Sequence, residues 1–89
     1  MAWELEYSPE IRHDLKRLDP QVKARIGRFL AERVAKLDDP RSIGEALKGE
    51  SLGELWKYRV GDWRIITSIE DVRLVVLVVK IGHRREVFR

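Results

Sequence analysis

No cysteine occurs in the 89 residues, which excludes disulfides and thiolate metal sites and leaves a reducing compartment open. Histidine occurs twice, as His13 and His83, too far apart in sequence for metal-ligand spacing. The longest apolar run, Leu74 to Val79, falls well short of the roughly 20 residues a membrane helix needs. The start, Met1-Ala2-Trp3-Glu4, lacks the basic-then-apolar order of a secretory signal, so a soluble cytoplasmic protein is expected. No serine sits in a glycine-rich elbow and no glycine-rich loop resembles a phosphate cradle. No two carboxylates are spaced for paired acid–base work. Hydrolysis by a triad or a bound metal is unsupported, and no cofactor is expected.

Charge is abundant instead. Charged residues make up 37% of the chain against 44% hydrophobic, the mixture of a globular domain with an ionic surface. The length suits one small domain with one modest core, expected to span residues 1–89. The net charge of +3 is unevenly placed. Residues 1–39 hold eight basic and eight acidic side chains; residues 40–89 hold ten basic and seven acidic, so the excess lies in the second half. That asymmetry fits a polyanion or acidic protein partner, and equally a solvated surface.

Periodicity gives the order of elements. Trp3, Leu5 and Tyr7 alternate with Glu4 and Glu6, the pattern of a short strand. Ser8-Pro9 and Asp19-Pro20 each pair a capping side chain with a proline suited to the first helical position. After the first comes an apolar stripe of Ile11, Leu15 and Leu18, with His13 on the polar side. After the second, Val22, Ile26, Phe29, Leu30, Val34 and Leu37 keep a helical period over residues 21–37, until Asp38-Asp39-Pro40. Residues 41–53 read as a loop, with Ile43 and Leu47 able to form a pinning helical turn. Strands are expected near 54–60, 63–69 and 72–80, with turns at Gly61-Asp62 and Glu70-Asp71. The third strand is a continuous apolar run and reads as central. The fold class is α+β, order β-α-α-β-β-β, with an N-terminal helical hairpin packed on one face of a mostly antiparallel four-stranded sheet. The aromatics Trp3, Tyr7, Trp56, Tyr58 and Trp63 fall on apolar strand positions and suit the core.

The candidate site lies on the strands. Lys57 and Arg59 alternate with Trp56, Tyr58 and Val60, so the two cations share one face. A two-residue turn at Gly61-Asp62 pairs Val60 with Trp63 and sets Arg59 opposite Arg64. Like charges facing each other across strands destabilise a sheet unless an anion joins them. Exposed strand cations also serve solubility and block edge-to-edge aggregation. Arginine grips phosphate through two parallel hydrogen bonds, so Lys57, Arg59 and Arg64 together suit a phosphate clamp. Beyond the third strand come Gly82-His83-Arg84-Arg85-Glu86-Val87-Phe88-Arg89. His83 is the tail residue whose ordinary pKa lies near neutrality.

Over its full length the chain resembles the RelE/ParE superfamily of toxins from type II toxin–antitoxin systems, and the RelE branch most closely. The resemblance rests on the N-terminal strand, the helical hairpin, Ala46-Leu47-Lys48-Gly49, the stretch Leu55-Trp56-Lys57-Tyr58-Arg59-Val60-Gly61-Asp62-Trp63-Arg64-Ile65, and the closing Gly82-His83-Arg84-Arg85-Glu86-Val87-Phe88.

The resemblance implies a RelE-like fold and a metal-independent endoribonuclease that enters the ribosomal A site and cuts mRNA, stopping translation. The ribose 2′-hydroxyl attacks the adjacent phosphate, leaving a 2′,3′-cyclic phosphate and a 5′-hydroxyl. It assigns catalysis to Lys57, Arg59, Arg64 and Arg84, and substrate contacts to His83, Arg85 and Phe88. Its implied partners are a cognate antitoxin and the ribosome with mRNA, with no membrane and with DNA met through the antitoxin complex. Phe88 departs from the pattern, standing where well-known members have a tyrosine; phenylalanine cannot give or take a proton. Nothing after Arg89 matches the C-terminal helix of some members, so inhibition by an antitoxin is expected to work without displacing it. ParE-like relatives share the fold and poison DNA gyrase. A gyrase poison, or a catalytically weak module that binds its antitoxin, is therefore the alternative reading.

Overall fold

Both expected caps are in place in the computed structural model, which describes residues 3–47 and 55–84. Ser8 accepts a hydrogen bond from the Ile11 amide and opens α1, Pro9–Leu15. Asp19 accepts one from the Gln21 amide at 2.8 Å and opens α2, Pro20–Phe29. Each proline sits at the helix start, where its missing N–H is not needed. The helix continues past Phe29 as one wider turn, Leu30–Val34, in which the Ala35 amide reaches the Leu30 carbonyl. That turn sends Leu30, Val34 and Ala35 inward together. The helical run ends at Val34, short of the Leu37 that the period suggested, and Asp39 is extended ahead of Pro40.

The strands are β1 Glu4–Tyr7, β2 Glu45–Ala46, β3 Leu55–Val60, β4 Trp63–Glu70 and β5 Val75–His83, arranged β1-β5-β4-β3-β2. β1 runs parallel to β5 and the other pairs are antiparallel. Both helices lie against one face. Ile11, Ile26, Leu30 and Val34 pack there on Tyr58, Val60, Ile65, Ile69, Val76 and Val78. The aromatics Trp3, Tyr7, Trp56, Tyr58 and Trp63 all belong to this core or pack against it.

Three expectations for the sheet and its loops also need correction. The sheet has five strands, not four, because Glu45 and Ala46 pair with Lys57 and Trp56. Two residues are too few to show a period, so this strand is invisible to pattern reading. The loop is also pinned differently. Pro40–Ile43 forms a single tight helical turn, while Leu47 donates its amide to the Leu55 carbonyl at 3.0 Å instead of joining a helix. The last strand is shifted by three residues. Its turn takes in residues 71–74, with Leu74 at φ 53°, and the strand then runs on through His83. A bulge opposite Ile66 and Thr67 leaves Val79 as the extra residue and re-aims the side chains beyond it. Glu54, where the strand leading into the Gly61-Asp62 turn was expected to start, lies outside the described residues, as do Lys48, Gly49 and Gly53.

Candidate functional site

The β3–β4 hairpin sets the site. Gly61 has φ +60°, and Asp62 is not among the residues with positive φ, which fits a type II′ turn with glycine first. The turn fixes the register: Val60 pairs with Trp63 and Arg59 with Arg64. Lys57, Arg59 and Arg64 thus alternate along the strands with Tyr58, Val60 and Ile65, which enter the core.

These three cations line one cavity of about 340 Å³ together with Glu45 and Arg33. The neglected strand β2 supplies Glu45. It lies in register with Lys57, and its carboxylate is 3.2 Å from the Lys57 ammonium. Arg64 turns toward the hairpin and donates to the Gly61 and Trp63 carbonyls at 3.0 and 3.1 Å. Arg59 is exposed and makes no ion pair among the described residues. The arrangement relieves part of the Arg59–Arg64 repulsion through carbonyl dipoles and leaves a cationic pocket with one carboxylate at its rim.

The tail joins the same end of the sheet because β5 runs further than expected. Gly82 lies opposite Arg64. The Arg84 amide donates to the Asp62 carbonyl at 2.8 Å, and its guanidinium stands 3.7 Å from the Asp62 carboxylate. Arg84 is therefore tied to the hairpin turn without lining the cavity. His83 pairs with Trp63, and its ring meets the indole edge-to-face at 5.8 Å. That contact holds it on the opposite face from Arg64. Arg85 and Phe88 lie outside the described residues.

Two contributors escaped the sequence. Glu45 falls in the segment read as a loop, and the α2 arginines were not singled out. A signal for Glu45 existed in the need for a counter-charge near three strand cations. None existed for its two-residue strand.

Comparison with solved structures shows the fold, and a family model shows the class. The fold matches the toxin–antitoxin complex RelBE2 from Mycobacterium tuberculosis with a TM-score of 0.84 at 23% identity, over 97% of this chain and 95% of that one. It matches a mutant Escherichia coli toxin RelE in the free state with a TM-score of 0.76 at 22% identity, over 98% and 88%. An archaeal RelE–RelB complex from Pyrococcus horikoshii gives 0.71 at 23%, over 97% and 99%. Toxin RelG of Mycobacterium tuberculosis is 25% identical over 89 residues, covering 100% of this chain and 99% of that protein. The family model for the ParE toxin of type II toxin–antitoxin systems matches residues 5–88, and the chain belongs to that family. It is a toxin of a type II toxin–antitoxin system within the RelE/ParE superfamily.

Proposed function

We propose that this toxin is an endoribonuclease that cuts mRNA in the ribosomal A site. The observation that carries the reading is the cavity where Lys57, Arg59 and Arg64 meet the Glu45 carboxylate. Arg64 and Arg59 hold the scissile phosphate through their guanidinium forks. The 2′-oxygen attacks phosphorus, the bond to the 5′-oxygen breaks, and a 2′,3′-cyclic phosphate forms. Lys57 offsets the negative charge that builds on the phosphoryl oxygens in between. Arginine is no proton acceptor, whereas a carboxylate is one. Glu45 takes the proton of the attacking hydroxyl, and the 5′-oxygen leaves with a proton from solvent. Arg84 adds positive charge from the hairpin turn. Alignment of the strand comes from the ribosome, which offsets the weak acid–base power of a cationic site.

The partner in the resting state is an antitoxin with an acidic segment that covers part of this cationic face. Supporting that, the similar solved chains include toxins captured with RelB antitoxins.

Primer extension on translating ribosomes tests the reading. Cleavage within the A-site codon is expected with wild type and is lost with Arg64→Ala. Intact mRNA beside active protein, or variants Arg64→Ala and Arg84→Ala as toxic as wild type, would sink it. The ParE description of the matching family keeps a second reading in play, a DNA gyrase poison. Inhibited supercoiling with untouched mRNA selects it.

A further inference from the structure

The helix α2 presents a second cationic surface that the reaction above does not use. Arg25, Arg28, Phe29, Glu32 and Arg33 recur at three- and four-residue steps, the spacing of one helical face. They line a cavity of about 370 Å³ with Arg59. Arg59, Arg33 and Phe29 also line the first cavity, so the two adjoin through shared side chains. Arg25, Arg28, Arg33 and Arg59 are all exposed, and none has an ion pair with a carboxylate among the described residues. The Arg25 guanidinium lies against the hairpin: a Cβ at Gly61 would meet its Nη1 at 3.0 Å. Arg33 stands over the Phe29 ring, 5.9 Å from its centroid.

We propose that this surface is a second subsite for the single-stranded RNA substrate, holding a phosphodiester and a base next to the scissile one. Arg25 and Arg28 grip the phosphate, and the half-buried Phe29 with Arg33 offers a stacking platform for the base. Arg59, common to both cavities, links the subsite to the clamp. RNA fits better than an acidic protein segment for two reasons. The surface is continuous with a phosphate clamp, and it sets an aromatic face for base stacking beside the guanidinium forks, a contact that a carboxylate does not make. The proposal rests on the endoribonuclease reading.

Fluorescence anisotropy with a 2′-O-methyl hexanucleotide, which lacks the attacking hydroxyl, tests it against a 2′-O-methyl dinucleotide short enough for the clamp alone. The double variant Arg25→Gln/Arg28→Gln is expected to bind the hexanucleotide about tenfold more weakly. Its slope of log affinity against log salt should fall by about 0.7, for one phosphate no longer neutralised. Dinucleotide binding should be unchanged. Arg28→Gln alone, which leaves Arg25 on the turn, should show about half the slope change. Arg64→Ala should weaken both oligonucleotides. The subsite is overturned if the double variant binds the hexanucleotide as wild type does, or if wild type gains nothing from the longer strand. It is also overturned if the loss appears only with empty ribosomes or only with polyglutamate, which assigns the surface to folded rRNA or to an acidic protein. Those results leave the primer-extension result standing, so the two readings fail separately.

Discussion

The two ends of strand β4 treat their arginines in opposite ways. Where β4 ends, at residues 70–74, each arginine is matched by two carboxylates. Arg41 is held by Asp71 at 2.7 and 3.0 Å and by Asp39 at 3.3 Å, and it also stands over the Trp56 ring. Arg73 reaches Glu6 on β1 and Glu70 on β4, bridging across β5. Where β4 begins, Arg59 faces Arg64, Arg25 lies against the turn, and Arg64 has only carbonyls among the described residues. The carboxylates there are Glu45 on Lys57, Asp62 at 3.7 Å from Arg84, and Glu32 in the cavity beside Arg59. The first end is electrostatically closed and holds loops to the sheet. The second has positive charge left over, as a site for an anion requires.

The largest break in that contrast comes from Arg64. Arg64→Ala should reduce mRNA cleavage on translating ribosomes by about 100-fold or more, the usual scale for losing a group that stabilises developing charge. Thermal unfolding should change little, because removing Arg64 relieves a like-charge pair. Arg41→Ala at the other end should do the reverse, leaving cleavage intact and lowering the melting temperature. Equal loss of cleavage from both would show that the difference between the ends is not functional.

Glu45 sharpens the comparison from the acidic side. As the proton acceptor, it should lose about 100-fold in single-turnover cleavage when changed to Gln. Substrate affinity should hold or rise, since a negative charge leaves the cavity. A mere tether for Lys57 would behave differently: Glu45→Gln would then lower affinity and leave the single-turnover rate near wild type.

How much of this was legible is uneven in an instructive way. Ser8-Pro9, Asp19-Pro20 and Gly61-Asp62 are local signals whose chemistry acts within a few residues, so caps, helix starts and the Arg59–Arg64 register could be read directly. The family and α+β class followed from their order. The features that could not be read depend on distant partners. β2 is two residues long and exists because β3 offers an edge. The extension of β5 through His83 depends on β4 continuing beside it, although Gly82 looks like a stop. Arg25, Arg28 and Arg33 look like any solvated helix face until α2 is laid beside Gly61. The cations on the strands were legible, while the carboxylate and the helical arginines around them were not.

A smaller effect tests what anchors the closed end. Buried Tyr58 donates to the Pro40 carbonyl at 2.6 Å and holds the tight turn that presents Arg41. Tyr58→Phe should cost about 1–2 kcal/mol, because the partner carbonyl is left without its donor. Burial also pushes the Tyr58 hydroxyl up to about 12. With the folded value raised above the ordinary 10, its contribution is full below pH 10 and is lost as pH rises toward 12. The phenylalanine variant should lack that alkaline loss in unfolding measurements, and cleavage at neutral pH should be retained.

The smallest expected effect is on Asp71. Its hydrogen bonds from Arg41 hold the carboxyl below the ordinary value of 3.8, and the same contact raises Arg41. A depressed folded value means the stabilisation is present above about pH 4 and disappears as pH falls through the folded pKa. Asp71 is fully exposed to solvent at the end of the sheet, so screening keeps the contribution small. Asp71→Asn should therefore lower the melting temperature slightly at pH 7 and progressively less in acid, as the carboxyl protonates below its ordinary range. Added salt should narrow the gap at neutral pH. Salt should act on the open end in the opposite sense, raising stability by screening Arg59 from Arg64 while weakening RNA binding. A chain in which salt destabilises both ends alike would contradict the division between a closed, structural end and an open, anion-seeking one.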